Sequence, residues 1–430
     1  MAAEASAING LCRHPRRSSL SPQRYGDIGN QDQETLIEFA GWLLLAIAGL
    51  VGVAPFAGYP ALVALLAWGR GKPERPIISE RPSVTVITAF TGRGSLPQRK
   101  IANVAELVYP QHKRQLLLAI DGPAPEEASD WAREHTNGLT VRITSLTESR
   151  GKAYAINRAL EVAEGEILVF SDLDAVLEPQ ALERLVAWFE YPDVGGVCGQ
   201  RVIRKAGAIS ESGQRSYIHL DSWIKGLENR LGAITSNDGK LYAVRRSLVQ
   251  PIQPDATDDL YNAITVVASG HRFLFEPEAR AHIPPPAWDV GHELARRRRI
   301  TVRSLSGMLS RPAILGLGRF GLFGVRLLIN KILRRLLAVS LLVAIVGLLL
   351  LAPARPWAAA LLVMIAVACG LTASYAVASV RRWIERLPRP LHTAWVGSFY
   401  GALGLLGTLL GLVDFAGGER IEQWHPRKTR

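Results

Sequence analysis

Two carboxylates separated by a single residue follow a short apolar run near the middle of the chain. Asp172 and Asp174 come directly after Ile167–Phe170, whose composition is typical of a buried strand. Magnesium and manganese prefer hard oxygen ligands, and magnesium commonly binds one or two protein carboxylates together with phosphate oxygens. The pair therefore predicts a site for a divalent cation. A solvated turn after the strand is the alternative.

A second acidic pair, Asp258 and Asp259, precedes a helical pattern that begins near Leu260. A neighbouring carboxylate disfavours ionisation, so Asp258 is expected to raise the pKa of Asp259 and to suit it to accept a proton near neutral pH. The alternative is that one of the two carboxylates caps the N-terminus of the helix.

Lys152 comes just before another predicted helix. It is a compact cation that is expected to face a phosphate or an acidic pair, and a solvated lysine is the alternative.

The elements that must position these residues alternate between strand-like runs and helical patterns from about Arg81 to Pro284. The predicted strands are Val84–Thr88, Gln115–Ile120, Leu139–Ile143 and Ile167–Phe170, and the predicted helices lie near Leu96–Val108, Ala153–Ala163 and Gln180–Phe189. This alternation indicates an α/β fold with a largely parallel sheet. Ligands bind outside the carboxyl ends of strands in such sheets, so Asp121, which ends the second strand, is expected to converge with Asp172 and Asp174.

Several motifs in this region resemble, in order and spacing, those of the membrane-bound family 2 glycosyltransferases. These are inverting enzymes of the GT-A fold, and they include hyaluronan, chitin and cellulose synthases. The similar segments are Val84–Phe90, Ile120–Gly122, Arg150–Leu160, Ser171–Asp174, Ser236–Arg246, Thr257–Leu260, Glu276–Ala279 and Arg296–Arg299. The resemblance covers about Ser83 to Met308. It implies a Rossmann-like α/β GT-A domain of the nucleotide-diphospho-sugar transferase type, located in the cytoplasm and joined to α-helical transmembrane segments.

The resemblance also implies roles for individual residues. Asp259 is expected to be the catalytic base. Asp174 is expected to hold Mg²⁺ or Mn²⁺, which offsets charge on the departing nucleoside diphosphate. Asp172 is expected to contact this metal through water or to hold the donor ribose or sugar. The expected nucleotide-sugar-binding residues are Thr88, Asp121, Lys152, Asp172, Asp258, Arg296 and Arg299.

Many family members carry Gln-x-x-Arg-Trp where this chain has Arg296–Ile300. Arg296 and Arg299 match an Arg-x-x-Arg variant, and guanidinium groups bind phosphate oxygens bidentately. The absence of the tryptophan weakens the case for processive polymer synthesis. A basic stripe on a helix at the membrane surface is the alternative for this cluster.

Apolar blocks of membrane-spanning length flank the region on both sides. The blocks are Leu36–Trp68, Leu336–Ala352, Trp357–Val380 and Leu391–Val413, and each approaches or exceeds the ~20 residues that span a bilayer as a helix. The chain is therefore expected to be an integral protein of the inner membrane. Its expected parts are a disordered tail (1–35), an N-terminal span (36–69), the GT-A domain (80–285), basic interfacial helices (286–330), about three C-terminal spans (331–413) and a basic tail (414–430).

Basic residues lie where the positive-inside rule places cytoplasmic segments. Arg70 and Lys72 follow the first block, Lys331 and Arg335 precede the second, and Arg381 lies after the third. The net charge of +12 is thus better explained by a membrane than by nucleic acid. One conflict follows, because four single spans would leave the basic tail outside unless the first block is a hairpin or one C-terminal segment is re-entrant. The three cysteines have no metal-ligand spacing, so a zinc site or a disulfide framework is not expected.

The expected function is the metal-dependent, inverting transfer of a sugar from a nucleotide sugar, with UDP as the expected nucleotide. The acceptor would be a glycan or a lipid-linked molecule in cell-envelope or exopolysaccharide assembly. Membrane lipids and proteins of polysaccharide synthesis or export are the expected partners, and nucleic acid is not. The alternative is a non-catalytic, nucleotide-binding membrane subunit of a polysaccharide synthase complex.

Overall fold

The computed structural model describes residues 22–91, 96–131, 138–204, 210–284, 290–311, 314 and 320–422, except for the side chains of 22–32, 210–217 and 389. The strands are β1 (Val84–Phe90), β2 (Arg114–Ile120), β3 (Thr140–Ser145), β4 (Ile167–Phe170), β5 (Val176–Leu177), β6 (Val194–Ile203), β7 (Tyr242–Arg245) and β8 (Arg272–Ile283). The helices are α1 (Pro22–Val53), α2 (Tyr59–Ala67), α3 (Leu96–Ala105), α4 (Ala128–Trp131), α5 (Lys152–Leu160), α6 (Ala181–Ala187), α7 (Ser210–Asn229), α8 (Asp258–Ala268), α9 (Val290–Leu309), α10 (Gly321–Leu327), α11 (Leu337–Leu351), α12 (Pro356–Ser374), α13 (Ala378–Ile384) and α14 (Arg389–Ala416).

The strands form one mixed sheet in the order β3-β2-β1-β4-β7-β6-β8-β5. The first four positions are parallel, as predicted, and the four predicted strands and three predicted helices are confirmed within a few residues at their ends. β7 is antiparallel to both β4 and β6, and β5 is antiparallel to β8, so the described sheet is mixed. The other six strands run in one direction, as the prediction of a largely parallel sheet requires. The apolar pattern of a strand carries no information on its direction, which is why the sequence did not indicate these two reversals.

The parallel register places the candidate residues at one edge of the sheet. Phe90 of β1 pairs with Ile120 of β2, and Ile87 pairs with Phe170 of β4. The chain leaves β2 and β4 at the same edge, so Asp121 and the turn that begins at Ser171 lie on the same side. The expected convergence of these strand ends is therefore confirmed.

Both faces of the central strands are buried, which explains their nearly continuous apolar composition. In β1, Val84, Val86 and Phe90 enter one apolar cluster, which also includes residues of α3 and α6. Ile87 and Ala89 enter a second cluster on the other face, with residues of α5 and α8. The sheet edge that carries the acidic turns is thus supported by helices on both sides.

Three of the described helical segments are long and apolar enough to cross a membrane, or four if one bent pair counts as a single span. The first is Gln33–Ala67, in which a five-residue π-helical segment, Ala54–Gly58, joins α1 to α2 and contains Pro55. The others are Pro356–Ser374 and Pro390–Ala416, and the bent pair is Gly321–Leu333 with Leu337–Leu351. Residues 22–35 of the predicted tail belong to α1, whereas 1–21 lie outside the described residues.

A buried polar cluster joins α2, which belongs to the first candidate span, to the α/β domain. The Glu228 carboxylate at the end of α7 is fully buried and accepts hydrogen bonds from the Tyr59 hydroxyl and from the Thr235 hydroxyl, the latter at 2.6 Å. Asn330, just before α11, donates to the Thr235 hydroxyl at 2.7 Å. A buried carboxylate is costly unless its oxygens are hydrogen-bonded, so these contacts hold α2, α7 and the approach to α11 together.

The turn between α11 and α12 lies at the other end of the first candidate span. Arg355 in this turn forms an ion pair with Glu38 at 3.0 Å, and the rings of Trp357 and Trp42 are 5.5 Å apart. α11 therefore runs from the domain to the opposite end of α1.

The end of α14 returns to the domain. Arg298 of α9 donates to Asp414 at 2.7 Å and pairs with Glu419, and Arg420 lies 3.9 Å from Asp255. With α11 as a membrane span, the chain between Arg355 and Asp414 would make one net crossing. α12 has 19 residues and a length of about 28 Å, which is enough to cross the apolar layer. We therefore expect α12 to cross and α14 to remain along α9 on the domain side, an arrangement that removes the conflict over the basic tail.

This topology predicts which single-cysteine variants are labelled from the same side of the membrane. In a background lacking Cys12, Cys198 and Cys369, single cysteines replace Ala354, Ile421 or Glu127. In sealed vesicles of one orientation, an impermeant maleimide is expected to label Ile421→Cys and Glu127→Cys from the same side and Ala354→Cys from the other. Joint labelling of Ile421→Cys with Ala354→Cys would mean that α14 crosses the membrane.

Candidate active site

Asp121, directly after β2, organises the loop that begins α5. Its carboxylate accepts hydrogen bonds from the backbone N–H groups of Arg150 and Gly151, at 2.8 and 2.9 Å, and from the Ser149 hydroxyl at 2.9 Å. Gly151 has φ of +119°, a conformation that favours glycine. Asp121 thus lies at the predicted sheet edge, and its described contacts fix the loop that presents Lys152.

The Lys152 ammonium group connects the two acidic pairs. Its Nζ is 2.9 Å from Asp172 Oδ1 and 3.1 Å from Asp258 Oδ2, and all three side chains are largely buried. Burial alone would lower the pKa of Lys152, but the two carboxylates outweigh this effect and raise it. For Asp172 the directions are reversed. Burial alone would raise its pKa, but the charges of Lys152 and Lys240 lower that pKa well below its usual value. The predicted approach of Lys152 to an acidic pair is confirmed by these contacts, and the group is held as a cation.

Lys240, in the loop before β7, lies between the two carboxylates of the predicted metal site. Its Nζ is 2.9 Å from Asp172 Oδ2 and 3.0 Å from Asp174 Oδ1. Sequence reasoning assigned no role to this lysine, although it belongs to the segment Ser236–Arg246 that carried part of the resemblance. The only sequence signal was its position in that motif.

The shared ammonium group shows that Asp172 and Asp174 direct oxygens towards one position. These are hard donors, and Asp174 is 40% exposed, so the pair fits a divalent cation that takes the place of the Lys240 ammonium group. The described residues contain no cluster of three or more histidine, cysteine, aspartate or glutamate side chains able to hold a metal. Further ligands would have to come from phosphate oxygens or water.

Lys100 holds the turn that carries Asp172 and Asp174 through hydrogen bonds from its ammonium group. This lysine of α3 is almost fully buried, and its Nζ donates to Ser171 Oγ at 2.7 Å, to the Ala175 carbonyl at 2.8 Å and to the Asp172 carbonyl at 3.2 Å. Burial lowers the pKa of Lys100 to about 7, against the opposing effect of Asp172 and Asp174. Sequence reasoning missed this residue; a lysine next to Ile101 on the buried face of α3 was the available signal.

Asp259 lies in the first turn of α8, next to the loop that carries Lys240. Its backbone carbonyl accepts a hydrogen bond from the Asn237 side chain at 2.9 Å, and its carboxylate would lie 3.5 Å from a Cβ at Gly239. The pKa of Asp259 is raised to about 6, first by burial and then by the charge of Asp258. The expected rise is therefore confirmed, but burial is its larger cause. Thr257 occupies the N-cap position, so neither aspartate is the N-cap.

Thr88 is fully buried within β1. Its hydroxyl has no hydrogen-bond partner among the residues that the structure describes. Burial therefore argues against direct contact between Thr88 and a ligand in this conformation.

The arginine cluster of α9 is divided among several partners. Arg296 pairs with Glu293 at 2.8 Å, and Arg303 donates to the Ala256 carbonyl at 2.6 Å. Burial, with Arg303 and Arg296 nearby, lowers the pKa of Arg299 to about 10. The structure brings Lys152, Asp172, Asp174, Asp258 and Asp259 into one cleft; among the described contacts, neither Arg296 nor Arg299 touches them.

Comparison with known proteins identifies the domain that carries this cleft. The model of the family described as Glycosyl transferase family 2 matches residues 85–252. A beta-monoglucosyldiacylglycerol synthase from Nostoc is 26% identical over 232 residues, covering 52% of this chain and 48% of the relative. A poly-beta-1,6-N-acetyl-D-glucosamine synthase from Staphylococcus aureus is 24% identical over 208 residues, covering 47% of this chain and 50% of the relative. The chain spans about half the length of the curated relatives it matches.

The fold has a clear structural counterpart. A mannosyltransferase from Pyrobaculum calidifontis, solved in complex with GDP-Man and Mn²⁺, has a TM-score of 0.63 at 24% identity, covering 88% of this chain and all of its own. The mixed α/β sheet is accordingly of the GT-A-like type. The chain carries a glycosyl transferase family 2 domain, which includes β1, β2, β4 and the acidic turn at Asp172 and Asp174.

Proposed function

We propose that the chain is an inverting, metal-dependent glycosyltransferase that moves a sugar from a nucleotide sugar to a hydroxyl group of a glycan or lipid acceptor. The contact of Lys152 with both Asp172 and Asp258 carries this proposal. It places a pair of carboxylates suited to a cation beside a second pair that contains a carboxylate with a raised pKa. A transfer of this kind needs a cation site for the donor and a base for the acceptor in one cleft.

The donor half consists of Asp172, Asp174 and the lysines around them. The carboxylates would hold Mg²⁺ or Mn²⁺, which as a Lewis acid offsets charge on the departing diphosphate. Lys152 and Lys240 lie close enough to contact the same diphosphate once Lys240 leaves the carboxylates. UDP is the proposed nucleotide on the basis of the motifs, and the solved fold relative in complex with GDP-Man and Mn²⁺ supports the use of a divalent cation.

The acceptor half depends on Asp259. In an inverting transfer the acceptor oxygen attacks the anomeric carbon on the face opposite the leaving group, while its proton passes to a base. The Asp259 carboxylate would accept that proton as the new C–O bond forms and the bond to the diphosphate breaks. A pKa of about 6 leaves this carboxylate ionised at neutral pH yet more basic than an ordinary aspartate.

The setting that we propose is glycan or glycolipid synthesis at the inner membrane, as part of cell-envelope or exopolysaccharide assembly. The two curated relatives are named for a glucosyldiacylglycerol and for an N-acetylglucosamine polymer. Arg70, Lys331 and Arg335 flank the proposed spans at their domain ends. By the positive-inside rule, this favours a cytoplasmic catalytic domain.

The donor is tested by measuring nucleotide release from the detergent-purified chain with a panel of UDP- and GDP-sugars. One donor is expected to turn over with Mn²⁺ or Mg²⁺ and to lose turnover in EDTA, because the paired carboxylates have no other means of binding the diphosphate. Binding of nucleotide without turnover of any donor, with or without added glycan and lipid acceptors, would favour the non-catalytic subunit.

Replacing Asp259 by asparagine is expected to lower transfer about 10²- to 10⁴-fold, the usual contribution of a general base. Donor affinity should remain nearly unchanged, since the described donor-side contacts do not involve Asp259. Asp193→Asn, in an exposed aspartate paired with Arg272, is the matched control and should retain activity. An Asp259→Asn variant with wild-type transfer would remove this residue from the base role.

Transfer by the wild type should rise as the pH passes through about 6 and then level off, because the ionised form of Asp259 is the base.

Replacing Lys240 by methionine is expected to tighten Mn²⁺ binding to the nucleotide-free protein. The reason is that the ammonium group, at 2.9 and 3.0 Å from the two carboxylates, competes with the metal for them. Calorimetric titration with Mn²⁺ measures the effect. Lys113→Met, in a partly exposed lysine paired with Glu80, is the control. Unchanged or weaker Mn²⁺ binding in Lys240→Met would show that the two cations do not compete.

A further inference from the structure

Two basic side chains at the entrance to α11 lie on the Asp259 side of the cleft without a counter-ion. Lys331 and Arg335 are both partly buried. Among the described residues, no carboxylate oxygen lies within 4.0 Å of either side chain. By contrast, Arg296 of α9 is paired with Glu293, and Arg298 is paired with Asp414.

Lys331 is anchored next to the loop that borders Asp259. Its Nζ donates to the Ser236 hydroxyl at 2.9 Å. The next residue, Asn237, donates through its side chain to the Asp259 carbonyl at 2.9 Å. Consecutive Cα atoms are only about 3.8 Å apart, so the Lys331 ammonium group and Asp259 border the same short loop. In agreement, the charge of Lys331 is one of those that oppose the raised pKa of Asp259.

Arg335 lies about one helical turn after Lys331 in the chain. It donates to the Lys331 carbonyl and to the Ser304 hydroxyl of α9. Ser304 follows Arg303, whose guanidinium group donates to the carbonyl of Ala256, three residues before Asp259. Arg335 also lies within electrostatic range of Asp259.

Two cations four residues apart repel each other, and partial burial increases the cost. Asp221 and Asp259 act on Lys331 only from beyond 4.0 Å, and Asp221 is already paired with Lys225 at 2.8 Å. A bound anion would offset this cost, and lysine with arginine is a combination suited to phosphate oxygens. A basic stripe for lipid head groups is less suitable as an explanation, because such a stripe is exposed, as Arg381 and Arg382 of α13 are.

We propose that Lys331 and Arg335, with the hydroxyl groups of Ser236 and Ser304, bind a phosphate or diphosphate group of the acceptor beside Asp259. The inference rests on the proposed function, in which Asp259 faces the acceptor hydroxyl. The donor diphosphate is assigned to the opposite side of the cleft, at Lys152 and the paired carboxylates. The acceptor class is therefore a phosphorylated molecule, either lipid-linked or soluble.

Binding to the full-length protein in detergent tests this site, with UDP and Mn²⁺ in excess to fill the donor site. The probes are a long-chain alkyl monophosphate, the matching alkyl alcohol in the same micelles, and inorganic pyrophosphate. The wild type is expected to bind the alkyl phosphate at least about tenfold more tightly than the alcohol, the size of one or two charge-assisted hydrogen bonds. Binding of pyrophosphate with similar affinity would indicate a soluble phosphorylated acceptor, and binding of the alkyl phosphate alone would indicate a lipid-linked one.

The tighter binding of the alkyl phosphate than of the alcohol should disappear in the double variant Lys331→Gln/Arg335→Gln. It should persist in Lys331→Arg/Arg335→Lys, which retains both charges. Arg381→Gln/Arg382→Gln is the matched surface control and should behave like the wild type. UDP affinity checks that each variant is folded. Equal binding of phosphate and alcohol by the wild type would overturn the proposal, as would a retained preference in the glutamine variant. Absence of donor turnover in the wild type would instead refute the proposed function, since the binding comparison requires no turnover.

Discussion

The position of the Lys152 ammonium group between Asp172 and Asp258 is the contact on which the cleft depends. One carboxylate follows a strand of the parallel half of the sheet and the other begins α8, so a single cation sets the separation of two elements far apart in the sequence. Removing a partner from a buried ion pair leaves an uncompensated charge and commonly costs about 3–5 kcal/mol. The loop that presents Lys152 is in turn held by Asp121. Lys152, Asp172 and Asp258 therefore stabilise the fold and also form part of the proposed active site.

The charges in direct contact on the donor side of the cleft nearly cancel in the absence of ligand. Lys152 and Lys240 pair with Asp172, Asp174 and Asp258. A nucleotide diphosphate adds negative charge to this nearly neutral group. A divalent cation brought in with the donor would restore the balance, which is a physical reason for a metal to accompany the nucleotide rather than to remain in the protein.

The sequence predicts the parts of this protein that are encoded locally. The strand runs ending at Ile120 and Phe170, and the carboxylates that follow them, are recognisable because a buried parallel strand is apolar throughout and its ligand-binding end is polar. The contributions of Lys240 and Lys100 are not encoded locally, since they depend on which loop and which helix fold over the acidic turn. The same limit applies to Thr88, whose hydroxyl lies inside the sheet, and to the direction of β7. The raised pKa of Asp259 was predicted from its neighbour, whereas burial, a property of the whole fold, is the larger cause.

Helix α9 is confined by glycines on two sides. Gly307 allows it to approach Ala256, where an added Cβ would lie 3.3 Å from the alanine Cβ. On the opposite side, Gly407 and Gly411 of α14 bring the backbone close enough that an added Cβ would lie 3.2 Å from the Leu294 carbonyl and 2.8 Å from the Arg298 carbonyl. A methyl group introduced on α14 would therefore displace α9 towards the residues that precede the acidic pair. In a survey of mutational tolerance, these three glycines should be as intolerant of substitution as the carboxylates of the cleft, although they touch no substrate.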